Sequence, residues 1–172
     1  MSIISRPDAS EYDARYTQYM ELIPEDDLLE AMSQQLERTR QLVMEIPADN
    51  LDVRFAAGEW TAREILGHIL DTDRIFGFRL LCFGRGDAAS LQRADQDKYV
   101  RSAGFERYPV EELLQEFMLV RQSHILFLRH LPAEAWDRTG VVGGSSISVR
   151  ALACLMLGHE RHHLETIRTH YM

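Results

Sequence analysis

The sequence predicts an all-α fold, a four-helix bundle, and three observations predict it. Four segments of about 22 residues repeat their apolar residues at helical spacing. Proline and glycine fall between those segments instead of within them. No segment shows a convincing strand alternation of apolar and polar residues. Four amphipathic helices of matched length, each roughly 33 Å long, bury their stripes most simply against one another.

The first helix is expected over residues 25–46, between Pro24 and Pro47, with Leu28, Leu29, Met32, Leu36, Val43 and Ile46 as its apolar face. The second is expected over 61–83. Thr61-Ala62-Arg63-Glu64 has the form of a capping box, and Gly84 and Gly86 end the helix. The third runs over 110–131, with Pro109 in its first turn and Pro132 closing it. The fourth runs over 148–170, preceded by Gly143 and Gly144 and capped by Ser146 or Ser148. The connection 84–108 is long enough to let the second and third helices run parallel, and it has room for a short helix over 91–99. Residues 1–24 are too polar for a core helix. They are expected to pack, with Tyr12, Tyr16 and Tyr19, as an extension on a single domain spanning 25–172.

Composition excludes several functions. A net charge of −8 gives no basic face for nucleic acid or for anionic membranes. No apolar run reaches the length of a membrane span, and the N-terminus lacks a basic-then-apolar signal, so a cytoplasmic protein is expected. The two cysteines, Cys82 and Cys154, stand in no metal or redox pattern and read as small core residues.

The chemistry is carried by histidines on apolar seams. The seam of the fourth helix reads Val149, Leu152, Met156, His159, His163, Ile167, and that of the second reads Thr61, Ile65, His68, Thr72, Ile75, Arg79. An imidazole is costly to bury without partners for its nitrogens. His159 and His163, at i and i+4, stack on one face, where two imidazoles can share one metal ion. His68 lies at a comparable seam position, so the three can converge on one divalent cation. Three nitrogen ligands with further positions open form a catalytic type of site, since structural zinc is normally closed by four protein ligands.

Residues 159–163 also read H-E-x-x-H. The zincin protease reading is weak because neither a glutamate at a suitable distance nor the H-x-x-G-x-x-H extension follows, and Glu160 lies about 100° off the seam. Glu160 is retained as an acceptor for an imidazole N–H. His124 reads as a core histidine on the third helix, with a fourth ligand or proton shuttle as the sharper alternative. Arg121 reads as the partner of a buried acid in preference to a substrate anchor, and Asp71 and Asp73 as solvated or orienting groups. Glu160, His124 and Arg121 are the candidate catalytic residues. Trp60 and Trp136 read as structural aromatics. The Glu-x-x-His pairs of di-iron bundles are missing, as are a phosphate loop and a nucleophile elbow.

Two stretches together resemble the DinB-like superfamily of damage-inducible, metal-dependent hydrolases. They are Gly58-Glu59-Trp60-Thr61 with Glu64-Ile65-Leu66-Gly67-His68-Ile69-Leu70-Asp71, and Gly158-His159-Glu160-Arg161-His162-His163-Leu164-Glu165-Thr166-Ile167. The resemblance implies an up-down-down-up bundle and a helix-packed homodimer. It also implies a three-histidine site for zinc, nickel or a similar ion on His68, His159 and His163. Characterised relatives include bacillithiol S-transferases and a mycothiol-dependent isomerase. The expected activity is therefore hydrolysis or thiol transfer on a small-molecule substrate, with a low-molecular-weight thiol as possible co-substrate. The alternative is a non-catalytic metal-binding or stress-related interaction bundle. The chain departs from the usual pattern at Glu160, where aspartate is commoner, and in its N-terminal extension.

Overall fold

The structure, a computed structural model, describes residues 4–87 and 90–172. Four long helices dominate: α2 (Leu28–Glu45), α3 (Ala62–Gly84), α5 (Val110–Arg129) and α6 (Val149–His170). Two short ones, α1 (Thr17–Met20) and α4 (Gln96–Ala103), complete six α-helices among the described residues.

Caps set the boundaries. Asp27 accepts hydrogen bonds from the Leu29 and Glu30 amides, so α2 starts at Leu28 and residues 25–27 stay outside it. Thr61 and Glu64 form the anticipated reciprocal box. Of the two serines proposed to cap α6, Ser148 does so, accepting from the Ala151 amide at 2.9 Å. Asp95 caps α4 through the Lys98 amide, which places that helix at Gln96–Ala103 instead of 91–99.

Leu28, Leu29, Met32, Leu36, Val43 and Ile46 are all buried. On α5 the buried stripe runs through Leu114, Phe117, Arg121, Ile125 and Leu128, which leaves His124 at its margin. Pairs between α3 and α5 advance together along both helices. Asp73 bonds to Arg121, Gly77 lies against His124, and Gly84 lies against Phe127 and Leu131. α6 is the most enclosed helix, with every residue from 151 to 160 buried.

One expectation fails. A small sheet is present: β1 (Ser90–Leu91) pairs parallel to β2 (Thr139–Val142), which pairs antiparallel with β3 (Ser145–Ser148). Gly143 and Gly144 form the two-residue hairpin turn between β2 and β3, both at positive φ (54° and 86°) as a twist-matched turn requires. The glycine pair that reads as a helix boundary therefore closes a hairpin. The sheet pins the connection after α3 to the connection before α6.

The N-terminal residues lie on this end of the bundle. Glu11 accepts from Ser148 Oγ at 2.6 Å and pairs with Arg150, and Asp13 accepts from Ser145 Oγ at 2.6 Å. Met20 and Ile23 are buried. α1 crosses α6 at Gly158, where a Cβ would lie 2.2 Å from the Tyr19 carbonyl oxygen, so only glycine allows that approach.

Candidate metal centre

His68 leaves α3 in its second turn, and His159 and His163 leave α6 a turn apart. The structure brings the three together. His68 Nε2 lies 3.0 Å from His159 Nε2, which lies 3.1 Å from His163 Nε2. The ligating atoms of all three fall within 4.8 Å of one another, and no other such cluster occurs among the described residues. His68 Nδ1 is 3.4 Å from Thr72 Oγ1, one turn along α3, which holds the ring with Nε2 turned inward.

Burial keeps these rings neutral. It pushes His68 from its ordinary value of 6.5 down to about 4 and His163 to about 3. His159 is driven well below 6.5 by burial, and then by the neighbouring imidazoles. Neutral imidazoles present lone pairs, and no carboxylate belongs to the cluster. Nitrogens bound tetrahedrally at about 2.05 Å stand roughly 3.3 Å apart, close to the separations here. The donor set therefore fits one divalent transition-metal ion.

An aromatic frame encloses the cluster. Trp60 lies 4.7 Å from His68 and 6.2 Å from His163 between ring centroids, while Tyr19 and Phe76 each lie 5.9 Å from His159. Two cavities open on either flank. One, of about 190 Å³, is lined by His68 and His159 with Tyr16, Tyr19, Asp71, Thr72 and Arg79. The other, of about 300 Å³, is lined by His163 and Trp60 with Glu59, Asp97 and His162.

The candidate catalytic residues fall elsewhere. Arg121, fully buried, donates from Nε and Nη2 to Asp73 at 2.8 and 2.6 Å, and from Nη1 to Glu160 at 2.5 Å. Glu160 also accepts from Thr39 Oγ1 at 2.5 Å. Its carboxylate thus turns toward α2 and α5, although the residue follows His159 in sequence. Asp73 is buried and held by Arg121, so the solvated option for it is ruled out. Burial opposes its charge, but Arg121 and then His124 outweigh that and lower its pKa. For Glu160 burial wins over Arg121, and its carboxyl is pushed up. His124 sits 3.6 Å from Asp73 through Nδ1, which has no hydrogen-bond partner, and it lines neither flanking cavity. Arg121 pairs with acids, as anticipated, and links the four long helices in one buried network.

Sequence reasoning placed the three histidines but missed their surroundings. Trp60 read as structural, and Tyr16 and Tyr19 as outer packing, yet all three line the cavities. Trp60 had a usable signal, since it directly precedes the capping box that starts α3.

The sequence profile of the DinB superfamily matches residues 31–167. The chain belongs to the DinB superfamily. Two of the solved structures with a similar fold come from Bacillus subtilis. YfiT from Bacillus subtilis, described as a probable metal-dependent hydrolase with an unusual four-helix bundle topology, aligns with a TM-score of 0.77 at 15% identity, covering 95% of this chain and 89% of its own. The DinB-like protein YjoA, also from Bacillus subtilis, aligns with a TM-score of 0.58 at 19% identity, over 84% and 89%. A search of curated protein sequences finds no match. No helix of this DinB superfamily member is long and apolar enough to cross a membrane among the described residues.

Proposed function

We propose that this DinB superfamily member is a divalent-metal-dependent enzyme, a hydrolase or thiol S-transferase acting on a small molecule. His68, His159 and His163 hold the ion, with zinc or nickel the natural candidates for an all-nitrogen set. The observation that carries the reading is the convergence of three neutral imidazoles between two open cavities, His68 and His159 on the wall of one and His163 on the wall of the other. A divalent ion supported by neutral ligands lowers the pKa of a bound water or thiol toward neutrality.

The chain's own residues supply the setting. Thr72 orients His68. Trp60, Phe76 and Tyr19 pack against the imidazoles and hold the rings in place beside the open cavity. The Arg121–Asp73–Glu160 network fixes α6 against α3 and so holds its two histidines in register with the third. Residues 1–24, as an extension on the domain 25–172, contribute Tyr16 and Tyr19 to the cavity. A non-catalytic metal-binding or stress-related bundle calls for a sealed apolar shell, whereas the cavity beside these histidines is open and partly polar. An up-down-down-up order is supported by the parallel march of α3 and α5 contacts. A homodimer is supported by the exposed Met44, Leu119 and Leu126 on α2 and α5. The acidic charge supports a protein without non-specific affinity for nucleic acid.

The test is elemental analysis of protein purified without a polyhistidine tag or chelator, beside a His68→Ala/His163→Ala variant. About one transition-metal ion per chain, lost in a variant that keeps its helical content, is expected. Screens of ester hydrolysis and thiol transfer then choose between the two activities. An empty wild type after incubation with zinc, nickel and manganese would overturn the reading.

A further inference from the structure

The cavity beside His68 and His159 carries an exposed arginine, Arg93, and one buried cation without an ion pair among the described residues, Arg79. It lies three turns after His68 on the same face of α3, about 16 Å along the helix axis. It is 8% exposed. A buried guanidinium is costly unless something compensates it, and the fully buried Arg121 is matched by two acids. Arg79 forms no ion pair among the described residues. Its hydrogen bond runs from Nη2 to the Gln92 carbonyl at 3.0 Å, and its guanidinium carbon lies 5.8 Å from the Phe76 ring centroid. The group has five N–H donors. None of its nitrogens is sealed off without a partner, so the donors not used on Gln92 open onto the cavity that Arg79 shares with His68 and His159.

We propose that this cavity binds a carboxylate-bearing small molecule, its anionic group paired with Arg79 and its other end at the three histidines. The inference deepens the proposed function and rests on it for the identity of the reacting end. The choice of a carboxylate follows from charge. The buried Arg79 and the exposed Arg93, set against the half-buried Asp71 on the same cavity wall, leave about one net positive charge, which suits a monoanion better than a phosphate dianion. The planar fork of arginine matches a carboxylate through two parallel bonds. Tyr16 and Tyr19, which line the same cavity, provide an apolar surface along which the intervening chain can lie.

The test is calorimetric titration of the full chain, with and without added zinc, against ω-mercaptocarboxylates of increasing length and the matching mercaptoalcohols. With zinc, one acid is expected to bind about tenfold more tightly than its alcohol, the size of a charge-assisted hydrogen bond. Arg79→Gln should bring the acid/alcohol ratio to about one. Equal binding of acid and alcohol by the wild-type chain at every length would overturn the proposal, and that comparison needs no variant to fold. So would a preference that survives in Arg79→Gln, or tighter binding of a mercaptoalkyl phosphate than of the best acid. The two readings fail separately. Absence of a zinc-binding heat defeats the metal site alone, and the acid/alcohol ratio of the metal-free protein still decides the Arg79 subsite.

Discussion

Replacing Arg121 by methionine removes the single cation of the buried network and leaves Asp73 and Glu160 facing each other through a gap. The two carboxylates are 3% and 0% exposed at the side chain and lose three charge-assisted hydrogen bonds between them. Breaking a buried ion pair from one side costs about 3–5 kcal/mol, because the remaining charge has neither partner nor water. In a domain of this size each kcal/mol lowers Tm by roughly 2–4 °C, so Tm should fall by roughly 6–20 °C. Scanning calorimetry on metal-free protein measures it. The loss carries a pH signature. Without Arg121 both folded-state carboxyls rise above their unfolded values, so the variant is closest to wild type at low pH and falls behind as pH rises through the raised values. A triple variant, Arg121→Met with Asp73→Asn and Glu160→Gln, should regain most of the loss, since it leaves no buried charge. A shift under about 3 °C, or a deficit that does not grow with pH, would refute the argument that Arg121 compensates two buried acids.

Two further outcomes follow from the same structure. The metal-free protein should lose stability as pH falls below about 6.5, because the unfolded histidines take up protons there while His68 resists to about 4 and His163 to about 3. His68 alone contributes on the order of 3 kcal/mol above pH 6.5. Urea midpoints at about pH 7.5 and 5 would show this, and an equal drop in the His68→Ala/His163→Ala variant would count against it. Gly158→Ala drives a methyl to within 2.2 Å of the Tyr19 carbonyl. It should lift α1 off α6 at a cost of about 1–3 kcal/mol and speed proteolytic cleavage within residues 4–23; unchanged cleavage would mean the close approach is dispensable.

The long helices were legible because their punctuation is local. Thr61 and Glu64 cap whatever follows them, and proline cannot continue a helix. The histidine cluster was legible because a polar ring on an apolar seam is anomalous wherever the seam packs. The sheet was missed because strands of two to four residues are too short to show a period; its one local mark, Gly143-Gly144, also fits a helix boundary. Glu160 was misassigned for a related reason. Its position beside His159 suggested a role toward the imidazole, but α6 is buried on every side over residues 151–160, so a residue one step off the seam meets another helix instead of solvent. The orientation of Arg79 and the arrival of Tyr19 depend on packing between segments distant in sequence, which no local pattern encodes.

The span closed by the histidines bears on how this protein survives unfolding. His68 and His159 are 91 positions apart in the chain, whereas His159 and His163 are neighbours on one helix. A cation held by all three is a crosslink across half the sequence. In the chain-entropy account, a covalent tie over that span removes about 4–5 kcal/mol of freedom from the disordered chain. The adjacent pair on α6 can grip an ion before the rest has assembled, and His68 then docks onto a half-made clasp. If the three histidines hold such a cation, chelators would act on this protein partly as denaturants, and their effect would be largest where the bundle itself is weakest.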